Sequence, residues 1–156
     1  GVWCPLFRLH GNRQPRLPFG HDTSGGPNEV WSYGEEVYEI LAGVLRLRER
    51  IKPYVLEQMA LASRDGVPPM RPLWFDFPDD AEAWAVDDEF CFGPSVLVAP
   101  VTELGARSRR VYLPAGATWT DPWTEQTLDG GTWADAEAPL DRIPLYLRDG
   151  AQLPLR

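Results

Sequence analysis

Phe90-Cys91-Phe92-Gly93-Pro94-Ser95-Val96-Leu97-Val98-Ala99-Pro100-Val101 holds two short apolar runs parted by Gly93-Pro94. Each run is too short for an ordinary helix and is rich in aromatic or β-branched residues, so each reads as a strand beside a turn. The same grammar extends in both directions. Residues 70–77, 110–113, 118–121, 143–147 and 152–155 are further short apolar runs. Pro114-Ala115-Gly116, Asp129-Gly130-Gly131 and Asp149-Gly150 punctuate them. Strands at about 8–12-residue spacing with turn signals between them predict a β-sandwich.

Upstream of residue 66 the pattern changes period. Residues 2–9 form an apolar run broken by Pro5, and a strand ending at His10 is expected. A loop rich in Gly, Pro and Asn follows over residues 11–27, long enough to be functional or disordered. Ser32 and Glu35 have capping-box spacing. Val37, Ile40, Leu41, Val44, Leu45 and Ile51 then form one helical stripe. Arg46, Arg48, Arg50 and Lys52 gather where positive charge suits the helix dipole. Pro53 predicts a kink or a restart, and Asp65-Gly66 an end. The charge divides at the same place. Residues 1–65 hold eight basic and eight acidic side chains; residues 66–156 hold seven and fifteen. The expected domains are therefore 1–65 and 66–156, the first α/β and the second all-β.

A net charge of −8 and a pI near 4.7 argue against a nucleic-acid partner and against docking on anionic lipid. No apolar run approaches the roughly 18 residues needed to span a membrane. Gly1-Val2-Trp3-Cys4-Pro5 lacks an initiator Met and a charged leader, and is expected to be an interior segment of a longer chain. Export is not readable, although the cytoplasm is slightly favoured. Cys4 and Cys91 are expected to be free thiols rather than a disulfide. No metal-ligand spacing and no phosphate-binding glycine loop exist, so no metal or cofactor is expected. The acidic residues Asp79, Asp80, Glu82, Asp87, Asp88 and Glu89 lack a calcium loop's periodicity. They read as a solvated face or as strand-end caps. Trp119, Trp123 and Trp133 read as packing or as a sugar-stacking platform.

Six segments, in order, resemble the C-terminal third of family 31 glycoside hydrolases. They are Pro5-Leu6-Phe7-Arg8-Leu9-His10-Gly11, Leu47-Arg48-Glu49-Arg50-Ile51-Lys52-Pro53-Tyr54 and Met70-Arg71-Pro72-Leu73. Phe92 to Val101 follows, then Val111-Tyr112-Leu113-Pro114 with Gly116 and Trp119. The last is Ala138-Pro139-Leu140-Asp141-Arg142-Ile143-Pro144 with Arg148-Asp149-Gly150. Their order and spacing across nearly the whole chain carry the likeness.

The resemblance implies the last part of a (β/α)₈ TIM barrel over residues 1–65 and a proximal β-sandwich over residues 66–156. It implies an exo-acting, retaining hydrolase of α-glucosides or α-xylosides. One Asp attacks the anomeric carbon; a second protonates the leaving oxygen and then activates water. In the family both precede the segment that matches residues 5–11, so this chain supplies no catalytic carboxylate. The resemblance makes His10 a substrate-binding residue at a strand's C-terminal end. Arg8 alternates onto the same side of the expected strand, and either reaches the pocket or forms a buried salt bridge at the barrel mouth. His21 reads as solvated and Asp22 as a turn former. The string Arg8-Leu9-His10-Gly11 leans toward xylosidase-like members. The alternative is a non-catalytic carbohydrate-binding or structural sandwich.

Overall fold

The computed structural model describes residues 1–9 and 29–155. His10, His21 and Asp22 lie outside the described residues. Residues 30–65 are helical. A 3-10 turn, Val30–Tyr33, leads into helix α1, Glu35–Arg50, and helix α2, Lys52–Asp65. Eight strands follow: β1 (Met70–Arg71), β2 (Phe90–Phe92), β3 (Val96–Val98), β4 (Ser108–Leu113), β5 (Thr118–Thr120), β6 (Thr127–Asp129), β7 (Thr132–Glu137) and β8 (Leu145–Arg148). Between β1 and β2 sit a single helical turn, α3 (Leu73–Asp76), and a 3-10 turn, Glu82–Trp84.

The strands form two sheets. The larger has the order β1-β2-β3-β8-β5-β6, and β4 pairs with β7 in the smaller. All pairings are antiparallel. The register explains the unbroken apolar runs. Cys91 lies opposite Leu97, and Leu97 opposite Tyr146; all three face Val111, Leu113, Ala134 and Ala136 of the smaller sheet in one core. Their neighbours Phe92, Val96, Val98, Leu145 and Leu147 point to the opposite face, since side chains alternate along a strand. There they meet Val2, Trp3, Ile51 and Val55. The larger sheet is thus covered on both faces, by β4-β7 and by the α1–α2 junction, and its central strands have no polar side to show.

Packing therefore crosses Gly66. Ile51 is fully buried, and Tyr54 of α2 donates a hydrogen bond to the Phe92 carbonyl at 2.8 Å while accepting one from the Ser95 amide at 3.3 Å. Gly93 closes this β2–β3 turn at φ 62°. A Cβ there would strike the Tyr54 hydroxyl, so glycine is required both for the backbone twist and for the helix to approach. Gly130, before β7, is required only for close approach, since a Cβ there would strike the Pro114 carbonyl. Helix α1, by contrast, has no fully buried residue. Its apolar stripe is only partly covered, through Val44 and Leu47.

Several local expectations need correction. Residues 1–9 form turns and bends, not a strand, because no described segment offers them a ladder. Only Met70 and Arg71 of the 70–77 run are extended; Leu73–Asp76 winds into a turn behind Pro72. Residues 152–155 pair with nothing regular. The capping box does not form: Gly34 is the cap position of α1, and the Ser32 hydroxyl donates instead to Glu29 at 3.0 Å. Pro53 does restart the helix, within the first turn of α2, and Gly66 ends it in the left-handed region at φ 74°. Cys4 and Cys91 are free thiols. Among the described residues no helix is long and apolar enough to cross a membrane.

Candidate functional site

Polar side chains gather in three groups among the described residues. The first lies under the sandwich. Arg71 and Asp76 are in ionic contact at 3.0 Å with side chains 6% and 15% exposed. The contact is Coulombic rather than directed, since among the described residues neither Arg71 Nε nor Asp76 Oδ2 has an aligned hydrogen-bond partner. Burial raises the Asp76 pKa, with Arg71 opposing. The neighbouring Cys91 thiol is pushed up to about 12 by burial and by Asp76, so it is an inert core thiol and not a nucleophile.

The second group belongs to the acidic run. The Glu89 side chain is wholly buried and pairs with Arg109 Nη2 at 3.3 Å, while Asp88 holds the same nitrogen at 2.8 Å. Glu89 Oε1 also accepts the Tyr112 amide at 2.8 Å. Arg110 and Trp133 line an adjoining cleft of about 340 Å³ with Arg109 and Asp88, but Arg110 lies over the Trp133 ring at 4.9 Å. The cleft's cations are thus already engaged within the domain. Asp80 likewise serves structure. It accepts from the Tyr112 hydroxyl at 2.8 and 2.9 Å, the Ala115 amide at 2.8 Å and the Glu82 amide at 3.1 Å. Its pKa stays low because these bonds outweigh partial burial. Among the described residues no group of three His, Cys, Asp or Glu is arranged to hold a metal.

Burial of Glu89 raises its pKa from 4.5 to about 7, against the pull of the Tyr112 amide and Arg109. Among the described residues its Oε2 has no hydrogen-bond partner. Between pH 4.5 and 7 the native state keeps a proton that the unfolded state has released. The stability this group contributes is therefore complete below pH 4.5 and lost as pH rises through 7. At about 1.4 kcal/mol per pH unit, the loss is of order 3 kcal/mol. Urea unfolding at pH 5 and pH 8 is expected to show a fall in wild type that Glu89→Gln flattens. An equal fall in both proteins would locate the pH dependence elsewhere.

The third group gathers at the start of the chain, in the residues that precede His10 in sequence. Arg8 is exposed and residues 7–9 have no regular structure. Among the described residues Arg8 forms no ion pair, so the buried salt bridge expected of it is not found there. The chain leading to it is firmly held. Val2 and Trp3 are each 2% exposed, and Trp3 meets Phe92 edge-on at 6.1 Å and 71°. Arg48 Nη1 donates to the Val2 and Cys4 carbonyls at 2.7 and 2.6 Å, and Nη2 to Pro5 at 2.9 Å. The tryptophans divide: Trp119 is core, Trp133 packs on Tyr112 at 5.2 Å, and Trp123 lies partly buried near Arg142.

The chain is similar to known proteins. The family model described as the glycosyl hydrolase family 31 C-terminal domain matches residues 66–153. The chain belongs to that family. It is 36% identical over 154 residues to an α-xylosidase of Saccharolobus solfataricus, covering 99% of this chain and 19% of the xylosidase. It is 35% identical to α-glucosidase 2 of Bacillus thermoamyloliquefaciens, covering 99% of this chain and 18% of that enzyme. Among solved structures, a GH31 α-xylosidase from a soil metagenome, complexed with xylose, superposes with a TM-score of 0.87 at 49% identity. That match covers 96% of this chain and 23% of the xylosidase. The chain thus spans about a fifth of the length of these relatives.

Proposed function

We propose that residues 1–156 serve a retaining, exo-acting α-glycosidase of the α-xylosidase or α-glucosidase type, whose catalytic Asp pair is supplied by chain outside these residues. The observation that carries this reading is the reach of the likeness. Relatives named for those two activities match 99% of the chain, helical segment and sandwich alike. Residues 1–65 would complete a (β/α)₈ barrel, and residues 66–156 would be the proximal sandwich beside it. His10 then hydrogen-bonds the sugar hydroxyls, with Arg8 nearby, while the two aspartates carry out the double displacement. No cofactor enters that chemistry, and the partner is a glycoside substrate. The 49% identity to a xylosidase that binds xylose supports the xyloside side.

Full-length protein carrying this chain is expected to release nitrophenol from an aryl α-xyloside. Its kcat/KM there should exceed that on the α-glucoside by roughly 10–200-fold, the range one small group can supply in a fitted pocket. Purified residues 1–156 should release none. Turnover by the short chain would overturn the placing of the catalytic pair outside it. No turnover by the full-length protein on either substrate would sink the reading and favour the non-catalytic sandwich module.

A further inference from the structure

We infer that the open side of the sandwich, between strands β6 and β7, is a binding cleft for a neutral sugar; the inference goes beyond the proposed glycosidase activity and does not rest on it. β6 is the outer strand of the larger sheet, and β7 pairs only with β4 in the smaller. The gap between them is a cleft of about 360 Å³, lined by the β5–β6 loop, by β7 and by Tyr146 of β8. That volume suits a small-molecule site. Tyr146 is the residue that points to a ligand. It belongs to the core between the sheets and is 3% exposed. Among the described residues its hydroxyl nevertheless makes no hydrogen bond, although buried Tyr hydroxyls ordinarily find a partner. Burial, with the nearby charges of Asp121, Glu89 and Asp135, pushes the phenol up to about 12. It is therefore a standing donor, and it lines the cleft.

The lining selects the class of ligand. Three carboxylates, those of Asp121, Asp135 and Glu137, line the cleft with one guanidinium, that of Arg142. The surplus of negative charge repels a phosphate, sulfate or carboxylate. Asp121 is held in place by the Trp123 and Thr124 amides, which donate to its Oδ1 at 2.7 and 3.4 Å; these bonds use only one of its two oxygens. Among the described residues no three His, Cys, Asp or Glu side chains are arranged for a metal. An ammonium offers donors alone and leaves the Tyr146 donor unanswered. The cleft thus calls for a ligand that accepts from a phenol and donates to carboxylates. Each hydroxyl of a pyranose does both. Leu128 and Ala134 add apolar surface for the C–H face of the ring.

The test is hydrogen–deuterium exchange in the full-length protein titrated with xylose, read peptide by peptide by mass spectrometry. With xylose at about ten times its dissociation constant, exchange through local opening over residues 121–128 and 134–137 should be roughly tenfold slower. Tyr146→Phe removes only the hydroxyl, so it should melt as the wild type does. It should need about tenfold more xylose for the same protection, the scale of one hydrogen bond. Should that variant fail to fold, Glu137→Ala, at an exposed position of β7, is expected to show the same shift. No slowing over these residues at any xylose concentration overturns the inference, whether or not the protein releases nitrophenol from an aryl α-xyloside. Slowing that the folded variant leaves unchanged overturns it, as does slowing by spermidine or inorganic phosphate and not by xylose.

Discussion

Trp119→Ala is expected to remove 3–5 kcal/mol from the stability of the chain, a large share of the 5–15 kcal/mol that holds a typical domain. Trp119 is 1% exposed and sits in β5, opposite Leu128 on one side and Arg148 on the other. Its ring meets Phe77 at 5.7 Å, so it joins the larger sheet to the segment that follows α3. Its indole N–H donates to the Pro114 carbonyl at 2.9 Å, in a buried bond. Truncation therefore costs twice. It leaves an indole-sized cavity in a close-packed core, and it strands a buried acceptor. Urea unfolding should show the midpoint shifted down at unchanged slope. Trp119→Phe, which keeps most of the volume and loses only the donor, should cost clearly less. A loss below 1 kcal/mol for the alanine variant would mean that the core closes without the indole.

The contrast between what the sequence disclosed and what it hid follows from where the information lies. β2, β3, β4, β5 and β8 were legible because each is a short apolar run beside a turn signal. β6 and β7 were not. Ala134 and Ala136 are the inward residues of β7, and the larger Trp133 is the one left 38% exposed. A strand whose buried face is alanine carries no hydrophobic signal, and only its pairing with β4 over six residues defines it. The 70–77 run failed for a different reason. Its apolar residues are buried, as a core strand's would be, but through a turn: Leu73 and Phe77 point into the sandwich from either end of α3.

The polar framework was legible in composition and not in role. The acidic run was read as a solvated face or as caps. Asp80 is indeed a cap-like acceptor, but Glu89 is a buried ion-pair partner whose arginine lies 20 residues away, a distance no local pattern encodes. Arg48 was read through the helix dipole alone. Its spacing from Val44 and Ile51, four residues on one side and three on the other, places it on the apolar stripe. A cation on that stripe is a sign of a directed partner rather than of solvent.

His10→Ala in the full-length protein is expected to lower kcat/KM by roughly 10²–10³, or about 2.7–4 kcal/mol, the scale of losing one preorganised donor. A transition state of oxocarbenium character strengthens hydrogen bonds to the sugar hydroxyls, so a donor aimed at them contributes more there than in the ground state. The effect requires that the donor not have to find its place during the reaction. The described residues before it are held at the start of the chain. Trp3 is wedged against Phe92, and Arg48 gathers the three carbonyls before the Phe7-Arg8-Leu9 run that leads to His10. Imidazole suits the task because one nitrogen donates while the other is fixed by a neighbour. The loss should fall on kcat as well as on KM, since an interaction made mainly in the transition state moves both kcat and kcat/KM. On the proposed reading His10 faces the substrate and not the core, so the melting temperature should stay close to that of the wild type. Activity within threefold of wild type would remove His10 from the list of substrate ligands. A joint collapse of activity and melting temperature would make it a structural residue.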